Sequence, residues 1–112
     1  MYSLGVATTA GSRLLHTSGI VGTNADGSIS PVLAEQAATI WRSIGEICKA
    51  AGLGLEDIVS YTTYVVDGED LPVVMAARDA ALAPHRPAST LIVVPRLARP
   101  EWLMEITAVA AR

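Results

Sequence analysis

The chain has 112 residues, of which 51% are hydrophobic and 17% are charged, and its formal net charge is −3. This length predicts a single domain spanning residues 1–112. The eight Lys and Arg residues are scattered rather than clustered, which argues against nucleic acid as a partner, and no apolar run approaches the length that spans a bilayer.

The low charge content predicts an oligomer. Charged residues make up about a quarter of an average soluble domain, whereas they make up 17% of this chain. Apolar surface that remains exposed in such a domain usually marks contact with another protein surface. We therefore expect copies of this chain to associate with one another.

The first quarter of the chain has the composition of extended structure. Residues 2–9 and 13–21 predict two strands, and Gly11 marks the turn between them. A third short extended piece is expected around Asp26-Gly27, which is a strong turn dipeptide.

Residues 31–51 carry the clearest helical pattern in the sequence. Ser30 is a typical N-cap residue, Pro31 suits the first helical position, and Gly52 suits the position that follows a helix. The predicted buried face consists of Leu33, Ala37, Ile40, Trp41, Ile44, Ile47, Cys48 and Ala51. Cys48, the single cysteine, is expected to be a small buried residue rather than a reactive thiol.

The second half of the chain alternates between strands and one further helix. Residues 58–66 are rich in β-branched and aromatic side chains and predict a strand. Asp70 can cap a second helix, which ends before Pro84. The last predicted elements are two strands, 88–94 and 102–110.

This order of elements predicts an α+β fold, a mixed sheet with two helices on one face. The other face would then be bare, with Val59, Val93 and Ile106 among its expected side chains. Burying one such side chain is worth about 1.5–3 kcal/mol, which favours closing several sheets around a common axis.

Short segments spread along the whole chain resemble those of the RidA/YjgF family. In the first half these are the strand at 14–19 that ends in a Ser-Gly pair, the turn Asp26-Gly27, the helix glutamine Gln36, and the stretches 50–53 and 56–59. In the second half they are the stretches 62–67, 86–90 and 104–110. The resemblance runs from about Tyr2 to Arg112.

The resemblance implies a chorismate-mutase-like fold that assembles as a homotrimeric barrel, with three clefts between subunits. Active members of that family hydrolyse imines and enamines to ketoacids and ammonia. They use no metal and no organic cofactor. A small-molecule substrate and a self-assembled trimer are therefore the partners that the resemblance implies.

One position departs from the family pattern. Deaminating members carry an arginine where this chain has Ser89, and that arginine holds the substrate carboxylate. A hydroxyl cannot replace a planar, permanently charged guanidinium. Arg86 and Arg96 are the candidates to supply the charge, although strand alternation does not place Arg86 where Ser89 points. We therefore expect an imine that lacks the small amino-acid carboxylate and is cyclic or larger than 2-iminopropanoate.

Two residues are the candidates for the chemistry. The resemblance gives Glu105 the role of orienting water, and a carboxylate there would act as a general base. The alternative for Glu105 is a strand residue that faces solvent. His16 would be an acid/base partner if it lies in the pocket, and is otherwise a structural histidine.

Five residues are the candidates for substrate binding. Ser18 and Gly19 end a strand that lines the cleft in the family, and glycine permits close approach of the backbone. Tyr2 matches a tyrosine that closes the pocket, and Met75 stands where relatives often carry asparagine. Ser89 completes the set.

Three functions remain open on the sequence alone. The first is an enzyme that hydrolyses or tautomerises a C=N bond or its enamine form. The second is a ligand-binding or chaperone-like trimer without catalysis. The third is a ribonuclease, which the acidic balance of the chain opposes. The N-terminus shows no secretory signal and a lone cysteine suits a reducing compartment, so a cytoplasmic location is expected.

Overall fold

The structure, a computed structural model, describes residues 2–112. Its helices are α1 (Leu33–Ala50) and α2 (Leu71–Leu82), and a single 3-10 turn covers Leu55–Asp57. Its strands are β1 (Leu14–His16), β2 (Ile58–Val66), β3 (Ala88–Val94) and β4 (Met104–Ala111).

The four strands form one mixed sheet in the order β1-β4-β2-β3. Strand β4 is antiparallel to both β1 and β2, while β2 and β3 are parallel. A parallel pair needs a crossover connection, which helix α2 supplies. The two helices pack on one face of the sheet, and the predicted α+β class is confirmed.

Side-chain alternation along the strands sets the core. In β4 the residues Met104, Ile106, Ala108 and Ala110 are buried, whereas the residues between them are only partly buried. The buried set packs against Ile40, Ile44 and the other apolar residues of α1. Cys48 lies in this core, as expected, and burial raises the pKa of its thiol.

Gln36 is the fully buried polar residue that ties α1 to the chain before β4. Its amide nitrogen donates to the carbonyls of Ser30 and Glu101 at 2.8 and 2.9 Å, and its amide oxygen accepts from the Leu103 N–H at 3.0 Å. Because its amide group pairs with one backbone group before α1 and two before β4, Gln36 fixes the entry of β4.

The predicted strand at 2–9 does not form, and the predicted strand at 13–21 is reduced to β1. Ser3 makes an isolated parallel bridge to Ala88 of β3, at the edge of the sheet opposite to β1. The two segments therefore lie too far apart to pair as a hairpin. Beyond β1 the chain stays beside β4 through a bridge between Ile20 and Ile106.

Two other predicted boundaries are shifted. Helix α1 begins at Leu33 rather than at Pro31, because the Ser30 hydroxyl accepts from the Val32 N–H at 3.1 Å and also bonds Glu35. The extended piece around Gly27 is a narrow loop closed by a bridge between Thr23 and Ile29.

Two of the three residues predicted for the bare face, Ile106 and Val93, lie on the helix side instead. Ile106 is 1% exposed and faces the helices. Val93 also lies on the helix side by its pairing with Val65, yet α2 does not reach it and it is 48% exposed. The uncovered face carries Tyr64 and Glu105, which pair with each other across β2 and β4. None of the helices in the described part of the chain has the length and apolar character to cross a membrane.

Candidate functional site

A cavity of about 220 Å³ opens on the helix side of the sheet, between α2 and strands β2 and β3. Its lining residues are Tyr2, Trp41, Tyr61, Thr63, Val74, Met75, Arg78, Ser89, Leu91 and Ile106. Three residues predicted to bind substrate, Tyr2, Met75 and Ser89, thus meet in one place. Ser89 faces the cavity because it pairs in parallel register with Tyr61, and directly paired residues point to the same face.

Tyr2 reaches the cavity because the next residue is anchored. The Ser3 N–H donates to the Pro87 carbonyl at 3.0 Å, and the Ser3 hydroxyl bonds the Arg86 carbonyl. These bonds hold the N-terminal segment against the bend that precedes β3. Tyr2 therefore lies at the mouth of the cavity with more than half of its surface exposed.

Two residues of this lining, Trp41 and Tyr61, carry a buried polar atom. Trp41 Nε1 and Tyr61 Oη have no hydrogen-bond partner among the described residues, although their side chains are almost fully buried. The two rings contact edge to face, with centroids 5.3 Å apart. Buried polar groups are usually paired, so unpaired ones beside a cavity indicate a place for a ligand.

Arg78 of helix α2 also lines the cavity, and the sequence reasoning missed it. Its side chain is 15% exposed, and its Nε and Nη2 atoms lie 3.0 Å from Asp79 Oδ1. Burial opposes the charged form, but the bond to Asp79 and the attraction of Tyr61 outweigh it and raise the pKa of Arg78. The available signal was its spacing: Arg78 lies three residues after Met75, on the same side of the helix.

The two arginines considered from the sequence lie elsewhere. Arg86 and Arg96 are both exposed, and neither lines this cavity. Among the described residues of the lining, Arg78 is the one with a charge.

Glu105 lies on the opposite, uncovered face of the sheet, next to Gly19. A β-carbon at Gly19 would stand 2.7 Å from Cδ of Glu105, so the carboxylate packs directly over the glycine backbone. Reciprocal hydrogen bonds between Ile20 and Ile106, at 2.8 and 3.0 Å, set this close approach. Ser18 precedes Gly19 and is exposed. The structure thus brings Glu105 and Gly19 together, and Ser18 is the residue before Gly19 in the chain.

His16 is not brought to Glu105 within one chain. It pairs with Val109 and shares the uncovered face with Glu105. Val109 lies four positions after Glu105 on the strand, which is a distance of about 13 Å. Direct proton transfer between these two side chains of one chain is therefore excluded by distance.

The predicted site residues consequently form two separate groups. One group, Tyr2, Met75 and Ser89 with Arg78, lines the cavity on the helix side. The other, Glu105 with Ser18 and Gly19, lies on the uncovered face. The β-sheet itself lies between the two groups.

The chain is similar to a known protein family and to several solved structures. The family model described as Endoribonuclease L-PSP matches residues 1–112. No match was found among curated proteins.

Several solved structures have the same fold. YyfB, a Rid-family protein of Yersinia pestis, is 29% identical with a TM-score of 0.86, over 99% of this chain and 86% of that one. TdcF of E. coli, solved with bound serine, is 28% identical with a TM-score of 0.83, over 100% and 88% of the two chains. RidA of Psychrobacter is 25% identical with a TM-score of 0.83, over 99% and 88%.

Proposed function

Because this chain belongs to the Endoribonuclease L-PSP family, the family of the RidA and YjgF proteins, we propose that it is a small-molecule enzyme acting on a C=N bond. It hydrolyses or tautomerises an imine or its enamine form. The substrate is cyclic or larger than 2-iminopropanoate, since Ser89 leaves more room in the cavity than an arginine would.

The observation that carries this proposal is the packing of the Glu105 carboxylate over Gly19. A carboxylate held against bare backbone can accept a proton from a water molecule placed beside it. In hydrolysis, Glu105 takes a proton as the water oxygen attacks the imine carbon. It returns that proton to nitrogen, which gives a carbinolamine. Glu105 then takes the proton of the carbinolamine hydroxyl and passes it to nitrogen as the C–N bond breaks, and a carbonyl and an amine result. In tautomerisation the same carboxylate moves a proton between carbon and nitrogen.

The proposed site is completed between subunits of a homotrimer. Glu105 and the cavity lie on opposite faces of one sheet, so a substrate in the cavity would need the glutamate of another copy. Beyond the bridge from Ser3 to Ala88, strand β3 is an open edge of the sheet, and its Ile92 and Val93 are exposed apolar residues. An exposed apolar edge is a favourable surface for self-association.

A binding module without catalysis is the second candidate. It is favoured by the serine at position 89, which removes the usual carboxylate clamp, and by TdcF, a relative solved with bound serine. A ribonuclease is disfavoured because a cavity of about 220 Å³ suits a molecule the size of an amino acid. The net charge of −3 also opposes binding of a polyanion.

The test compares turnover of 2-aminoacrylate and of a cyclic imine by the purified protein. Glu105→Gln should lower turnover by about 10²- to 10⁴-fold, because a neutral amide cannot act as a general base. Glu46→Gln, an exposed glutamate of α1, is the matched control and should behave as the unmodified chain. Analytical ultracentrifugation should give three times the mass of one chain.

The outcomes separate the two candidates. Turnover that survives Glu105→Gln contradicts the proposed mechanism. Ligand binding without turnover on either substrate favours the binding module. A monomer at micromolar concentration contradicts the intersubunit site.

A further inference from the structure

The lining of the cavity on the helix side is rich in hydrogen-bond donors. Arg78, Tyr61 and Trp41 contribute N–H or O–H groups, and the Ser89 hydroxyl lies in the same wall. No residue of this lining carries a carboxylate, among those that the structure describes. A cavity with donors and a cation suits an anionic ligand.

Arg78 is placed and oriented for such a ligand. Its contact with Asp79 uses Nε and Nη2 and leaves further N–H groups of a guanidinium that has five donors. On the cavity side, Tyr61 lies close to the guanidinium and raises the pKa of Arg78. Asp79 thus holds the arginine from one side, and the cavity lies on the other.

Two buried polar side chains give independent support. Tyr61 is 4% exposed and Trp41 is 3% exposed, and the polar atom of each lacks a hydrogen-bond partner among the described residues. Leaving such an atom unpaired in a buried place costs about 1–3 kcal/mol. An oxygen-rich ligand beside Arg78 would offer an acceptor to the Tyr61 hydroxyl, which lies close to Arg78.

We propose that Arg78 binds the carboxylate of the substrate, from helix α2 rather than from the strand position now occupied by Ser89. The inference rests on the proposed function for the view that this substrate is an imine. The substrate class then becomes a small carboxylate-bearing imine, cyclic or extended on the side where Ser89 leaves room. Asp79 is a positioning residue for Arg78.

Binding of pyruvate tests this assignment without requiring turnover. Isothermal titration should show that pyruvate binds the unmodified protein and that methyl pyruvate, its uncharged ester, binds at least about 10-fold more weakly. Arg78→Gln should weaken pyruvate binding by about 10- to 100-fold, as expected for a lost charged hydrogen bond. Arg78→Lys should recover only part of the loss, because an ammonium lacks the planar fork.

Two further variants make the result specific. Arg86→Gln is the matched control, since Arg86 is exposed and outside the cavity, and it should bind pyruvate as the unmodified protein does. Adding Ser89→Arg to Arg78→Gln should restore binding, because it returns a guanidinium to the same cavity. Thermal melting confirms that each variant is folded.

The proposal is overturned if Arg78→Gln binds pyruvate as tightly as the unmodified protein, if the ester binds equally well, or if pyruvate does not bind. Glu105→Gln should retain pyruvate binding. If pyruvate binds through Arg78 but the protein turns over no imine, the anion site is supported and the proposed function is rejected.

Discussion

The two faces of the sheet differ in what they contribute. On the covered face, Ile106 and its neighbours pack against α1 and are almost fully removed from water. On the uncovered face, Glu105 and Tyr64 pair across strands with no helix above them. Consecutive residues of β4 therefore serve opposite purposes, because side chains alternate between faces. Residues on the covered face stabilise the fold, and the proposed proton transfer takes place on the uncovered face.

The same alternation divides the candidate site. Ser89 and Arg78 line a cavity on the helix side, whereas Glu105 lies beyond the sheet. A binding group and a reactive group on opposite faces cannot meet on one substrate within one chain. The difference between the faces is thus a physical reason to expect that another copy completes the site.

The largest expected effect compares neighbouring residues of β4 on the two faces. Ile106→Ala should lower the free energy of unfolding by about 2–5 kcal/mol, because it leaves a cavity in a packed core. Thr107→Ala, one residue later and on the uncovered face, should lower it by about 0.5 kcal/mol or less. Urea denaturation measures both. An equal loss for the two variants, independent of protein concentration, would contradict the division between faces.

A smaller effect is expected from the contact that places the reactive group. Gly19→Ala should reduce turnover by about 10- to 100-fold, because the new methyl group forces the Glu105 carboxylate away from the backbone. The melting temperature should change little, since Gly19 is exposed. Gly5→Ala, with no atom near the added methyl group, is the control. Unchanged turnover in Gly19→Ala would show that the position of this carboxylate does not matter.

The smallest expected effect is on the pH dependence of stability, and it arises from Cys48 in the core. Burial raises the pKa of Cys48, so the folded chain keeps the thiol neutral where the unfolded chain ionises it. The stability that this contributes is fully present below about pH 8.5 and is lost as the pH rises through the folded-state pKa. Unfolding free energies between pH 8 and 10 should therefore fall more steeply for the unmodified protein than for Cys48→Ala. Identical slopes would contradict a buried thiol.

Much of the fold followed from local patterns. The strands at 58–66 and 88–94 and the helices around Ile44 and Val74 form where periodicity and turn residues predict them. Each of these patterns depends on residues close in sequence. The prediction of a strand at 2–9 was wrong. The composition of this segment suits a strand, but the only partner in the sheet that the structure describes for it is Ala88, at the edge opposite to β1.

The sequence predicted less of the candidate site than of the fold. Tyr2, Met75 and Ser89 were selected by resemblance, and the structure places them around one cavity. Arg78 was overlooked because an arginine on a helix is usually solvated, and only the tertiary packing of α2 brings it close to Tyr61. His16 was paired with Glu105 on strand alternation alone, which gives the face but not the distance.

The sequence by itself determined the α+β class, the two helices and the burial of Cys48. These follow from hydrophobic periodicity, which records what each residue contacts one turn or two residues away. Tertiary structure alone decided that Ser3 joins the edge beside β3, that Gly19 lies under Glu105, and that Arg78 enters the cavity with Ser89. Such contacts join residues far apart in the chain, and their distances depend on how the sheet and helices pack, which no local pattern encodes.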